Sequence, residues 1–283
     1  MKLIESKAEY IPQEEGLEGI YKQIELAGRT AYHSLDKITS DSAKNFVDRM
    51  IKSNHGAVLE HGTVYLKVPC DVWREDEHEW VYMFPEELPW ISLDCDGKYW
   101  YITTNFRHIL EGNVGIETMN EYLCSPTESH EKRYTMRFTC DRGVSHQLVR
   151  ERLMSFLQES QRYCAYIKEK FGASVTFIQP DWIKLSDQKE FEEDIKTIEQ
   201  LYFKWLNKGY KAEEARYFLI NGTKTEIIIT AFASDWRHML DLRYFEKTGK
   251  VSPDMKDLMQ KAQKAMQEAG IWEDIMSKPS KFE

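Results

Sequence analysis

Cysteine is scarce in this chain and scattered: Cys70, Cys95, Cys124, Cys140 and Cys164, an odd number with no Cys-x-x-Cys pair. That usage argues against a disulfide framework and reads as reduced thiols in a cytoplasmic protein. No apolar run approaches the roughly 20 residues of a membrane span, and the start Met1-Lys2-Leu3-Ile4 carries no secretory h-region. Positive charge is also short. A formal net charge of -9 argues against a protein that coats nucleic acid, so any anion must be held by a local arginine cluster in an acidic background. No basic groove interleaves with the eight tryptophans and fifteen tyrosines, which read as core and interface rather than a base-stacking platform. A Gly-rich nucleotide loop, an internal repeat, a low-complexity tract and a linker are all missing.

What remains is an ordinary globular composition, 42% hydrophobic and 30% charged over 283 residues, enough chain for a large core. Hydrophobic periodicity predicts helices over 16–33, from Ser42 to about Asn54, over 187–206 and 212–218, and from about Pro253 to Ala269. In the second of these, Ala43, Phe46, Val47, Met50 and Ile51 form the inner face. Alternation predicts strands over 63–69, 99–104, 133–140 and 224–230. A helix begins at Asn105, and Ser234 is the expected N-cap of a helix reaching Arg243. Strands separated by helices and hairpin-like returns imply an α+β fold, a central mostly antiparallel sheet flanked by helices. One domain over 1–283 is expected, with an acidic, aromatic insertion at about 71–98.

The densest chemistry lies between Gln147 and Tyr163, where Arg150, Arg152 and Arg162 accompany Ser155, Ser160, Gln147 and Gln158. Read as a mostly helical segment starting at Val144 or Ser145, it sets Gln147 and Arg150 on one face and turns Leu148 and Val149 to the core. Fixed guanidinium, amide and hydroxyl groups at such density suit a planar anionic ligand such as a nucleotide. His146 reads as a structural hydrogen-bonder rather than a general base, and Glu159 as a solvated residue or backbone partner rather than a catalytic acid. A second cluster, His55 to His61 with Glu60, lacks a spacing suited to zinc, and no metal site is expected.

Arg150-Glu151-Arg152, Ser160 and Arg162-Tyr163 occupy the places of a family signature, Arg-His-Arg, seven residues, Ser, then Arg-Tyr. His55 to His61, Ala215-Arg216, Lys224-Thr225 and Trp236 to Arg243 follow in the family's order. On these residues the chain resembles the flavin-dependent thymidylate synthases. The resemblance implies that family's fold and its reaction, conversion of dUMP to dTMP with methylenetetrahydrofolate as carbon donor and NADPH-reduced FAD as hydride source. It implies no cysteine nucleophile, in keeping with the lack of a Pro-Cys-His segment. By resemblance Gln147, Gln158, Glu159, Ser160, Arg162, Arg216 and Arg243 bind dUMP, and Arg243, reaching from a neighbouring subunit, polarises the uracil carbonyl as the catalytic group. His55, Glu60, Arg150, Glu151, Arg152 and His238 serve FAD, in sites formed between subunits of a homotetramer.

Departures fall mainly on the flavin side. Glu151 replaces the signature's histidine, and Phe232 and Ser234 stand where some members carry Asn and Arg. Leu157 replaces a common asparagine, and Ala31 and Ala57 replace small hydroxyl residues. A carboxylate facing the flavin would disfavour the anionic reduced ring, whereas one facing solvent would be nearly neutral. The sequence thus leaves three readings open: a working synthase, a member acting on another pyrimidine nucleotide, and a nucleotide-binding relative without flavin chemistry.

Overall fold

The run Thr225 to Phe232 is buried at every position but Glu226, as expected of a strand covered on both faces. It is the centre of a four-stranded sheet. The computed structural model describes residues 1–71, 84, 88–112, 114–162, 166 and 174–280. Tyr163, Cys164 and much of the expected 71–98 insertion lie outside the described residues. In chain order the elements are β1 (Lys2–Ile4), β2 (Lys7–Tyr10), α1 (Gly16–Ala31), α2 (Ser42–Lys52), α3 (Gly56–Leu59), β3 (Thr63–Pro69) and β4 (Ser92–Cys95). Then come β5 (Tyr99–Asn105), α4 (Phe106–Glu111), α5 (Ile116–Tyr122), β6 (Arg133–Asp141), α6 (Arg142–Leu148), β7 (Ser155–Gln158) and β8 (Thr176–Ile178). The last are α7 (Gln188–Asn207), α8 (Ala212–Ala215), β9 (Lys224–Phe232), α9 (Ala233–Arg243), α10 (Pro253–Glu268) and α11 (Trp272–Ser277).

The central sheet has the order β2-β6-β9-β7 and is antiparallel throughout. Antiparallel β3-β5-β4 forms a second sheet, and β1 pairs in parallel with β8. The expected mixed fold with antiparallel sheets and flanking helices is what the chain adopts. On β9 the side chains Ile227, Ile229 and Ala231 join a core with Met136, Phe138, Trp236, Met239, Leu258 and Met266. The alternate positions turn the other way, where Thr230 meets Thr135 across the sheet at 2.8 Å. Helix α1 packs on that side through Ile20 and Ile24, in a core shared with Phe46, Leu66, Ile102 and Phe106. It approaches α2 so closely at Gly28 that an added Cβ would lie 2.4 Å from the Phe46 ring.

The signature segment departs from its expected form. It is not one helix: α6 already begins at Arg142, capped by Asp141 Oδ1 on the Val144 N–H at 2.8 Å, and ends at Leu148. A turn follows, then β7, whose register pairs Ser155 with Thr230 and Gln158 with Ile227. Pairing with a preformed neighbour strand outweighs local helical periodicity here. Gln147 and Arg150 therefore do not share a helical face. Val149, expected in the core, is 39% exposed. Ile51 likewise is exposed rather than internal. Ser234 is not the N-cap: Phe232, two residues earlier, holds that place, α9 starts at Ala233, and the Ser234 N–H donates to Glu131 Oε1 at 3.2 Å. No described helix is long and apolar enough to cross a membrane.

Candidate active site

The turn between α6 and β7 brings the signature against three separate surroundings. On one side Arg152, Leu153, Met154 and Ser155 wall a cleft of about 280 Å³ with Glu60, Trp90, Asn105, Arg107 and His108. Glu60 enters at the C-terminal end of α3, and α4 starts at the cleft because Asn105 Oδ1 caps the His108 N–H at 3.0 Å. Arg107 is neutralised by Glu60 at 2.7 Å and Glu111 at 2.8 Å. Trp90, 42% exposed, donates its indole N–H to His108 Nδ1 at 3.2 Å. Arg150 and Arg152 are exposed and form no ion pair among the described residues. His55, at the start of α3, exchanges a hydrogen bond with the Tyr32 hydroxyl at 3.0 Å.

The second surrounding is buried. Glu151 is only 8% exposed, its Oε1 accepting from Arg243 Nη2 at 3.3 Å and its Oε2 lying 3.8 Å from His238 Nε2. The solvent-facing alternative for this carboxylate does not hold, since it faces Arg243 and His238. The same Arg243 Nη2 is 3.5 Å from the Gln147 carbonyl oxygen, and the Gln147 amide donates to Ser252 Oγ at 3.2 Å.

In the third, Ser160, Arg162 and Arg216 gather. The Ser160 N–H donates to Ala31 O at 3.1 Å, and Ser160 Oγ accepts from the Arg162 N–H at 3.3 Å. Glu213 joins the two arginines, its Oε2 3.8 Å from Arg162 Nε and its carbonyl accepting from Arg216 Nε at 3.2 Å. Arg142, which carried no expected role, points its Nη1 at Glu159 O at 3.5 Å. Burial holds its guanidinium below the usual range, opposed by Glu159 and reinforced by Arg216.

Two expected ligand residues are already engaged inside the protein. Gln158 Nε2 donates to Ser145 Oγ at 2.8 Å and Thr225 Oγ1 at 3.2 Å. Glu159, expected as a solvated residue or a backbone partner, is the second of these: it is 3% exposed, bound to Lys224 Nζ at 3.0 Å, with the Glu226 N–H donating to the same oxygen at 3.2 Å. Among residues the sequence did not single out, Trp90, Asn105, Arg107 and Arg142 stand beside the expected ones. None belongs to a spaced motif; only the cap at Asn105 left a signal.

The other histidine of the His55 cluster, His61, is fully buried, its Nδ1 2.8 Å from Thr230 Oγ1. Burial, with the nearby Arg133 charge, pushes its pKa down to about 3. Between about 6.5 and that value the unfolded chain takes up a proton that the folded chain refuses. His61 therefore stabilises the fold above about pH 6.5, and this contribution falls by about 1.4 kcal/mol per pH unit as pH drops. Urea unfolding of H61Q at pH 7, 6 and 5 should show a shallower acid loss than the wild type. Parallel curves would mean that His61 does not govern it.

Residues 119–269 match the family described as thymidylate synthase complementing protein. A flavin-dependent thymidylate synthase of Pyrococcus furiosus is 32% identical over 170 residues, covering 57% of this chain and 67% of that protein. One from Thermococcus kodakarensis is 37% identical over 169 residues, covering 57% of this chain and 66% of that protein. Among solved structures, a UMP/dUMP methylase from Streptomyces cacaoi aligns over 98% of this chain and 97% of that chain, at 14% identity and a TM-score of 0.45. The matched span takes in the whole signature as well as Arg216 and Arg243, and on that ground the chain belongs to the thymidylate synthase complementing protein family.

Proposed function

We propose that the protein is a flavin-dependent thymidylate synthase that converts dUMP to dTMP with methylenetetrahydrofolate, FAD and NADPH, in the cytoplasm. The observation that carries this reading is the gathering of distant signature residues. Arg243 lies on Gln147 across 96 positions of sequence, and Arg162 and Arg216 share Glu213. Arg162 and Arg216, with the Ser160 hydroxyl, offer charge-assisted donors to the nucleotide phosphate. Gln147 and Arg243 of one chain, instead of an Arg243 reaching from a neighbouring subunit, offer donors to the base, and a guanidinium held at a uracil carbonyl would stabilise negative charge developing there. Gln158 and Glu159 act behind them, holding the loop to β9.

The cleft beside Arg152 suits part of a flavin dinucleotide. Its exposed indole can stack on a ring, Asn105 and Glu60 offer amide and carboxylate groups, and Arg152 in its wall, with Arg150 nearby in the chain, supplies uncompensated positive charge. His55, on Tyr32, and His238, on Glu151, lie outside the lining of this cleft and would serve the flavin only beyond it. When bound, reduced flavin supplies the hydride; this chain binds, orients and excludes water. At about 280 Å³ the cleft is at the lower end of small-molecule sites. That size supports completion by other copies in a homotetramer.

The test is the visible spectrum of the purified protein before and after adding FAD, then with anaerobic NADPH and dUMP. A flavin spectrum that bleaches, followed by dTMP formation, is the expected outcome. No flavin uptake at saturating FAD would sink the synthase reading. Methylation of a different pyrimidine nucleotide would redirect it to a diverged member.

A further inference from the structure

Glu151 sits between two exposed arginines and is itself buried. Backbone geometry produces this inversion. The Glu151 N–H donates to Leu148 O at 3.2 Å, and its own carbonyl accepts from the Met154 N–H at 3.1 Å. These two tight turns close α6 and redirect the chain into β7, so residues 150 and 152 face outward and residue 151 inward. A carboxylate taken this far from water is costly unless an opposite charge meets it. Arg243 Nη2 at 3.3 Å meets it, with His238 Nε2 at 3.8 Å.

The dependence also runs the other way. Arg243 is the last residue of α9, and Glu151 is the one carboxylate paired with it among the described residues. Its other contact is the Gln147 carbonyl at 3.5 Å, a weak acceptor at that distance. Both contacts fall on Nη2. The Nη1 hydrogens have no acceptor among the described residues, and Nε is cut off from solvent without a partner. An arginine tethered by one carbonyl samples many rotamers, whereas one pinned on a fixed carboxylate has lost that freedom before a ligand arrives.

We infer that Glu151 is a positioning residue, holding the Arg243 guanidinium against Gln147 with its Nη1 side available to an acceptor on the pyrimidine base. The identity of that ligand rests on the synthase reading above; the pinning of Arg243 does not. The middle of the triplet thus serves the nucleotide through Arg243 instead of serving the flavin. A histidine there, although it would restore the family signature, would remove the carboxylate that Arg243 leans on.

Binding of dUMP to the full-length, FAD-saturated protein, followed by calorimetric titration, tests this. The variants are E151Q, E151D, E151H, R243Q and the double variant E151Q/R243Q, each checked for fold by circular dichroism. E151Q and E151H should bind dUMP about ten-fold more weakly, a loss of about 1.4 kcal/mol. E151D, which keeps the charge, should retain more affinity than E151Q. In the double variant the E151Q loss should vanish on top of R243Q, because the effect passes through Arg243. A merely structural role would give additive losses and no rescue by aspartate. Should E151Q not fold, the contrast of E151D with E151H carries the same test, and equal affinities overturn the inference. Wild-type protein that binds no dUMP defeats the synthase reading. Thermal unfolding of the same variants then decides the pinning, and additive shifts in midpoint overturn it.

Discussion

K224M should lower the unfolding free energy by about 3–5 kcal/mol, since it strands a buried carboxylate without its counter-charge. Lys224 and Glu159 are 9% and 3% exposed, and the ammonium lies 3.0 Å from Glu159 Oε2 and 2.7 Å from Glu226 Oε1. Burial alone would pull the lysine's pKa down, yet the two carboxylates hold it above its usual value. For a domain of this size the loss corresponds to a fall in melting temperature of roughly ten degrees. Adding E159L to K224M should recover much of it, because the fully buried carboxylate is then gone and the one left behind, Glu226, is partly exposed to water. Differential scanning calorimetry measures both effects. A drop of under about 1 kcal/mol for K224M would mean that water screens the pair. The pair also has a functional bearing, for Glu159 immediately precedes Ser160 and its N–H is tied to Glu226 O at 2.8 Å.

Removing either arginine beside Glu213 should cost nucleotide affinity without costing stability. Arg162 and Arg216 are both exposed, so R162A and R216A should each change unfolding free energy by less than about 0.5 kcal/mol. A charge-assisted contact to phosphate is worth about 1.5–3 kcal/mol, which corresponds to a ten- to 150-fold weaker dUMP complex. Deoxyuridine, which lacks the phosphate, separates this from general damage. Its binding should be weak to begin with and nearly indifferent to both substitutions. If dUMP binds R162A and R216A as tightly as it binds the wild type, the phosphate does not sit on these arginines.

Strand β9 and the helices α1, α2, α7 and α10 were legible because each carries its own period over nine or more residues. Strands β1, β2, β4 and β8, of three or four residues, were not. Strands that short show no alternation of their own and exist through a partner, as Lys2–Ile4 does against Thr176–Ile178. The segment after Gln147 misled for a related reason. Gln147 to Tyr163 was read as a continuation of the helix that starts before it, but Ser155–Gln158 is a strand because β9 lies open beside it.

By itself the sequence determined the mixed fold class, the order of the signature segments and hence the family. These depend on residue types and short spacings, which need no knowledge of packing. Only the tertiary structure decided which side chains meet. Cys70 and Cys95 belong to no motif, yet their sulfurs are 3.5 Å apart because one follows β3 and the other ends β4, the two strands that flank β5. Glu159 finds Lys224 across 65 positions and Glu151 finds Arg243 across 92. Caps and periods act within a few residues, whereas a buried charge is satisfied by whatever the fold sets beside it. That is why Glu151 reads as a defect in the signature and is, in the folded chain, the partner of Arg243.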